Sequence, residues 1–227
     1  STRLATVAPA SQPITAPPTV RANDRKMLLD PANPGSIRAV GGMMVAFGTG
    51  RNVAEGDAES RDVQTLYSVL DNTRYRASST DTAMGKRLET HPGAGDCPDG
   101  PDCVPTPAAL GVMGDTGTLS GGSKLAQQKI TDSTIDPDFG TVDVVEELKA
   151  DTWVSYHGWY LDFPAVGERL LKPMEFFDGT NLLAVYSQVP AQGKDVDVSI
   201  ESCESSSVVA ERQFRTFINI MDGKRPS

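Results

Sequence analysis

Apolar positions come in short runs closed by glycine, proline, asparagine or aspartate, a pattern of strands rather than of amphipathic helices. Residues 36–50, Ser-Ile-Arg-Ala-Val-Gly-Gly-Met-Met-Val-Ala-Phe-Gly-Thr-Gly, predict a buried strand followed by a tight loop. Residues 64–70, Gln-Thr-Leu-Tyr-Ser-Val-Leu, predict a second strand, closed by Asp71-Asn72. Further strands are predicted over 124–130, 153–163, 168–177, 182–189 and 213–220, with turn signals frequent enough for an all-β assembly of hairpins. One of these segments also fits a helix face, because Trp153, Tyr156, Trp159, Tyr160 and Phe163 recur at three-to-four spacing. Gly158 inside it and Pro164 at its end favour the strand. Residues 8–18 are proline-rich and read as an extended edge segment or linker. Residues 90–123 are so densely punctuated by Gly, Pro and Asp that they predict a long surface insertion.

Composition fits one folded unit with long excursions: 227 residues, 21 Gly and 16 Pro, with 38% hydrophobic and 6% aromatic residues. A formal net charge of −9 argues against a nucleic-acid-binding surface and against an anionic membrane as partner. No stretch approaches the roughly 20 apolar residues of a membrane span; the run from Met43 to Phe47 fills one buried strand. The sequence opens Ser-Thr-Arg-Leu-Ala-Thr-Val, with neither an initiator Met nor a signal pattern, and reads as a processed form or a fragment of a longer protein.

Three cysteines are present. Cys97 and Cys103 are separated by five residues in a Pro-Asp-Gly turn context, which permits a small disulfide loop and would favour an oxidising compartment; free thiols are the alternative. A zinc site lacks ligands, since His91 and His157 stand in no metal-binding spacing. Cys203 is left over and could pair outside this segment. Other motifs fail on spacing. In the run from Gly117 to Lys124 the lysine is out of Walker A register and no Ser or Thr follows it, so it reads as a flexible loop. Gly48-Thr49-Gly50 lacks the third glycine of a dinucleotide fingerprint, and no G-x-S-x-G elbow occurs. His157, among aromatics, reads as a packed side chain rather than a base. Asp96/Asp99/Asp102 and Asp132/Asp136/Asp138 lack calcium-loop spacing and read as solvated loop charges. Trp153, Tyr156, Trp159 and Tyr160 could form a binding surface, although core packing suits them better.

Five phrases in order carry a resemblance. They are the Gln12-Pro13-Ile14-Thr15-Ala16-Pro17-Pro18 segment; Val45-Ala46-Phe47-Gly48-Thr49-Gly50-Arg51-Asn52-Val53 with Asp57; Gln64-Thr65-Leu66-Tyr67-Ser68-Val69-Leu70-Asp71; Gly158-Trp159-Tyr160-Leu161-Asp162-Phe163-Pro164; and Gly167-Glu168-Arg169-Leu170-Leu171. Cys203, ahead of the strand ending at Ile220 and the turn Asp222-Gly223-Lys224, adds to them. Together they resemble the type IV pilus tip-associated PilY1/PilC family. The resemblance implies that residues 1–227 are the C-terminal part of a modified seven- or eight-bladed β-propeller, about three blades with long loop insertions such as 90–123. It also implies a non-enzymatic pilus biogenesis factor and tip-associated adhesin that supports assembly or opposes retraction. Pilins or minor pilins and a host or abiotic surface would be its partners. The protein would be exported to the pilus tip, the cell surface, the outer membrane or the periplasm. Family members bind calcium through an Asp-rich loop; this segment has none, so no cofactor and no metal ligand are expected in it. Gly48, Thr49, Gly50, Gln64, Tyr67, Gly158, Trp159, Asp162, Gly167, Glu168 and Arg169 stand as structural motif residues, with Gly48, Gly50 and Gly158 serving turns and close packing. The competing readings are a structural propeller remnant without activity of its own and a quinoprotein-like propeller enzyme.

Overall fold

The computed structural model describes residues 6–7, 12–24, 27–29, 37–39, 42–54, 56–71, 75–77, 88–90, 112–113, 124–132, 140–148, 156–177, 179–193 and 209–226. These form strands and a single short 3-10 turn, Asp57–Glu59, so the fold is all-β. In chain order the strands are β1 (Thr6–Val7), β2 (Thr19–Ala22), β3 (Met27–Leu29), β4 (Ile37–Ala39), β5 (Met43–Gly48), β6 (Thr65–Asp71), β7 (Tyr75–Ala77) and β8 (Leu88–Thr90). They continue with β9 (Val112–Met113), β10 (Lys124–Asp132), β11 (Gly140–Val144), β12 (Tyr156–Asp162), β13 (Arg169–Leu170), β14 (Glu175–Phe176), β15 (Leu182–Val189) and β16 (Arg212–Asn219).

Two sheets make the body. The first has six strands in the order β11-β10-β12-β6-β5-β2, antiparallel throughout except for the parallel β10–β12 pair. Within this sheet only β5–β6 and β10–β11 are the expected hairpins between consecutive strands; elsewhere the succession is broken, most sharply where β11 folds back along one side of β10 and the chain re-enters as β12 on the other side. The second sheet has β15 at its centre, with β13 and β14 along one side and β16 along the other. Short pairs β1–β9, β3–β4 and β7–β8 stand outside both. The aromatic-rich segment with two possible periods is strand β12. Most of the predicted insertion 90–123, together with Cys97, Cys103, Cys203, Trp153 and the Asp96 cluster, lies outside the described residues.

Strand alternation explains the core. Met44 and Ala46 of β5, Leu66 and Leu70 of β6, and Trp159 and Leu161 of β12 belong to one buried cluster with Leu170, Leu183, Val185 and Ile218 of the second sheet. The intervening Phe47, Tyr67, Val69 and Tyr160 join Leu125 in a second cluster, because successive side chains of a strand point to opposite faces. Trp159 and Tyr160 are thus both packed, one in each cluster. Phe47 and Tyr67 stack with ring centroids 5.2 Å apart.

Two glycines show why their positions tolerate no side chain. The register Lys124↔Tyr156 followed by Ala126↔Trp159 sets three steps of β12 against two of β10, a bulge that contains His157 and Gly158. Gly158 has φ 140° there, and a Cβ on it would lie 2.0 Å from the Ser68 carbonyl oxygen. Gly48 faces the second sheet, where a Cβ would meet Leu170 Cδ2 at 2.4 Å. By contrast, Gly56 has a positive φ of 86° with nothing within 4 Å of a Cβ.

Gly158→Ala and Gly56→Ala therefore separate steric exclusion from backbone preference. Gly56→Ala is expected to cost about 1 kcal/mol in urea denaturation. Gly158→Ala is expected to cost more than about 4 kcal/mol or to prevent folding. Equal modest costs at both positions would contradict the close approach of β12 to β6.

Candidate functional site

The loop after β5 carries opposite charges six residues apart, Arg51 and Asp57, around a turn that needs Gly56 in the left-handed region. The Asp57 carboxylate accepts hydrogen bonds from the backbone N–H groups of Val53 (2.9 Å) and Ala54 (2.7 Å) and pairs with the Arg51 guanidinium at 2.8 Å. The Ala54 N–H, then Arg51, then the Val53 N–H hold its pKa down from 3.8 to about 2.

Arg169, at the start of β13, closes over this loop from the second sheet. Its side chain is buried, and its donors go to backbone carbonyls: Nε to Gly167 (2.8 Å), Nη1 to Arg51 (2.8 Å) and to Asp57, and Nη2 to Ser60 (2.8 Å). Burial draws the guanidinium below its ordinary pKa, opposed by the charges of Asp57 and Asp62. The planar fork of arginine suits several carbonyls at once in a way that a lysine ammonium does not. Gly167, with φ 77°, turns the chain so that Glu168 and Arg169 project into this junction. Glu168 is buried beside it: Ser187 donates to Oε1, and the Ala165 N–H donates to Oε2 at 3.1 Å. Burial raises the Glu168 pKa against those two hydrogen bonds and the Arg212 charge.

The motif residues continue from this junction in both directions. Leu170 N–H donates to the Thr49 carbonyl (3.0 Å), while the buried Thr49 hydroxyl accepts from Thr65 N–H (2.8 Å). Thr65 in turn donates through its hydroxyl to Asp162 (2.6 Å) and accepts from the Gln12 amide (2.9 Å), whose carbonyl accepts from the Tyr67 hydroxyl. Burial, the largest influence, pushes the Tyr67 phenol up to about 12, so it remains a donor at neutral pH. Gly50 N–H donates to the Pro13 carbonyl (2.7 Å), and Phe163 N–H to the Gln64 carbonyl (2.9 Å). Gly50 also lies where a Cβ would be 2.6 Å from Arg169 Cβ. Gly48, Thr49, Gly50, Gln64, Tyr67, Asp162, Gly167, Glu168 and Arg169 are thus gathered around one inter-sheet network. Gly158 and Trp159 stand apart from it, under the C-terminal turn.

That turn is the second fastening. The Ile220 carbonyl accepts from Trp159 Nε1 (2.9 Å) and from the Ser68 hydroxyl (2.7 Å). Gly223, φ 68°, lies against the indole, where a Cβ would be 2.9 Å from Trp159 Cδ2. The contributions of Ser187, Ser68 and the Ile220 carbonyl are not visible in the sequence, since the first two are ordinary strand serines and the third is backbone. Asp57 carries a local signal, an acidic residue just after a glycine turn and opposite Arg51. Among the described residues, no group of three or more His, Cys, Asp or Glu side chains is placed to hold a metal ion.

No protein-family model matches the chain, and no curated protein matches it. Among solved structures it is similar to the C-terminal domain of PilY1 from Pseudomonas aeruginosa, at 19% sequence identity and a TM-score of 0.46, over 99% of this chain and 35% of that one. The chain spans about a third of the length of that structure.

Arg169→Lys is expected to cost about 2–4 kcal/mol in chemical denaturation, because an ammonium cannot reach all four carbonyls and leaves buried acceptors unpaired. A cost near zero would show that the carbonyls find other donors. Asp57 predicts an acid dependence whose sign follows from its depressed pKa. The unfolded carboxyl binds a proton more readily than the folded one, so the stability Asp57 confers is complete above the unfolded value of 3.8 and is lost as pH falls towards about 2. The stability gap between the unaltered protein and Asp57→Asn should therefore narrow as pH drops from 5 to 2. Glu168, with its raised pKa, acts in the opposite sense, favouring the fold at low pH and losing that contribution as pH rises through its folded value.

Proposed function

We propose that this chain is the C-terminal part of a PilY1-like β-propeller in a type IV pilus biogenesis factor and tip-associated adhesin that performs no catalysis. The observation that supports this reading is the convergence of the family-like phrases. Residues as distant as Gln12, Thr49, Thr65, Asp162 and Arg169 meet in one hydrogen-bonded junction. Short phrases that agree by chance have no reason to meet in space. Phrases that encode one framework must do so, because each supplies a partner the others need.

Two sheets packed face to face are also how neighbouring propeller blades meet, and the chain would hold about three blades with long loop insertions. Thr49, Thr65, Glu168 and Arg169 of the junction are buried and committed to hydrogen-bond partners, which suits a structural framework better than a reaction centre. Pilins or minor pilins would bind the assembled protein, with surface attachment at the pilus tip, and the protein would be exported. Calcium, where the family uses it, would be held by another part of the full-length protein.

Deletion of the native gene tests this reading, with surface pili quantified after shearing and the sheared fraction probed for a tagged copy of the protein. Loss of pili, restored by the tagged copy and accompanied by its recovery in the sheared fraction, is the expected outcome. Normal piliation with no tag in that fraction would overturn it.

A further inference from the structure

Among the described residues the second sheet leaves one long strand unpaired on its outer side. Among the described residues β16 pairs with β15 alone, over eight consecutive residues. The direction of its free hydrogen-bonding groups follows from its neighbours. Ile220 N–H bonds to the Asn181 carbonyl across the pair, Asn219 N–H bonds instead to the Lys224 carbonyl, and Phe177 N–H reaches the Leu182 carbonyl from the other side of β15. By antiparallel alternation, the N–H and C=O groups of Gln213, Arg215 and Phe217 point away from β15. Residues 212–217 all line a cleft of about 820 Å³, both parities together, as a strand does when it presents its edge rather than one face. The cleft is also lined by Ile130 and Val142 of the first sheet and by Pro164, Ala165 and Glu168.

The charge of the cleft runs against that of the chain. Arg212, Arg215 and Arg225 line it in a protein of net charge −9. Among the described residues that line it, the one carboxylate, Glu168, is buried and already holds Ser187 and the Ala165 N–H. Arg215 lies over Phe217 (4.5 Å) and its cross-strand neighbour Tyr186 (5.7 Å), and Arg212 over Phe214 (5.0 Å). Such cation–π contacts orient the guanidinium groups without neutralising them. Phosphate polymers would meet the outward carbonyls of β16 as well as its amides. An extended peptide matches both, donor to acceptor along the edge.

We propose that the open edge of β16 takes an extended acidic segment of a partner protein as an added strand. Its carboxylates face Arg215, and its apolar positions turn into the cleft towards Phe214 and Val142. The backbone supplies affinity and the arginines supply selectivity. This proposal holds for any biological role of the chain.

The test uses a fluorescein-labelled, end-capped octapeptide of alternating Glu and Val, titrated with the full chain in fluorescence anisotropy. Saturable binding is expected. It should weaken by about tenfold or more when Lys replaces Glu in the probe, when alternate probe amides are N-methylated, and in the Arg212→Gln/Arg215→Gln variant. Gln213→Pro removes one outward N–H, leaves the arginines in place and should weaken binding severalfold. All of these residues are exposed, and circular dichroism of each variant confirms that it is folded. Undiminished binding of the Lys probe or of the N-methylated probe would overturn the proposal, as would failure of the folded protein to bind the Glu probe. A dimer in sedimentation velocity that Gln213→Pro abolishes, with no probe binding, would assign the edge to a second copy of the chain instead.

Discussion

The guanidinium of Arg169 is the contact on which the relation of the two sheets depends. A buried cation is costly unless its donors are satisfied, and here they meet four backbone carbonyls rather than a carboxylate. Those carbonyls belong to its own turn and to the loop between β5 and β6, so one side chain fixes where β13 lies over β5. Leu170 can then enter the space that Gly48 leaves empty, with its N–H on Thr49. Asp57 makes the arrangement possible from within the loop. By drawing in the Val53 and Ala54 N–H groups and holding Arg51, it shapes the loop whose carbonyls Arg169 grips, and it supplies nearby negative charge. The ionic and backbone roles are divided between two residues, which avoids a buried Arg–Asp pair whose desolvation would offset its attraction.

Apolar burial alone would let two flat faces slide past one another, because it is non-directional. The polar fastenings remove that freedom. The Arg169 junction is one, and the Ile220 carbonyl, held by Trp159 and Ser68, is another. Both Trp159 and Ser68 sit on the inner face of the six-stranded sheet, where a one-residue slip would exchange them for Tyr160 and Tyr67 or Val69. The bulge at Gly158 is what brings β12 into that register against both β6 and β10.

Strands with strong apolar runs were legible in the sequence: β5, β6, β10, β12, β15 and β16 each fall within or beside a predicted segment. Strands β2 and β11 were not. Thr19–Ala22 and Gly140–Val144 lie at the two margins of the six-stranded sheet; the first exposes alternate residues and the second buries Val142 alone, so neither presents a buried run. Predicted segment 168–177 proves to be two two-residue strands with a bend between them. The junction was partly legible, since most of its residues fall in the five phrases. Its working was not, because Arg169 binds carbonyls, and every residue carries one.

The same geometry that fastens the sheets also decides where the second one ends. After Asn219 the chain does not run on beside β16; it turns through Met221 and Gly223 onto the Trp159 indole, and Lys224 closes the turn on Asn219. Returning along the strand would have covered Gln213, Arg215 and Phe217, but would have withdrawn the Ile220 carbonyl from Trp159 and Ser68. The fold thus gains this polar fastening, and among the described residues no strand pairs with the outer edge of β16. An open edge of this length invites pairing between copies of a chain unless something makes it selective. Arg212 and Arg215, set on opposite faces of the strand, fill that role: a second copy meeting β16 edge to edge would add like charge to each face, whereas an acidic strand would not.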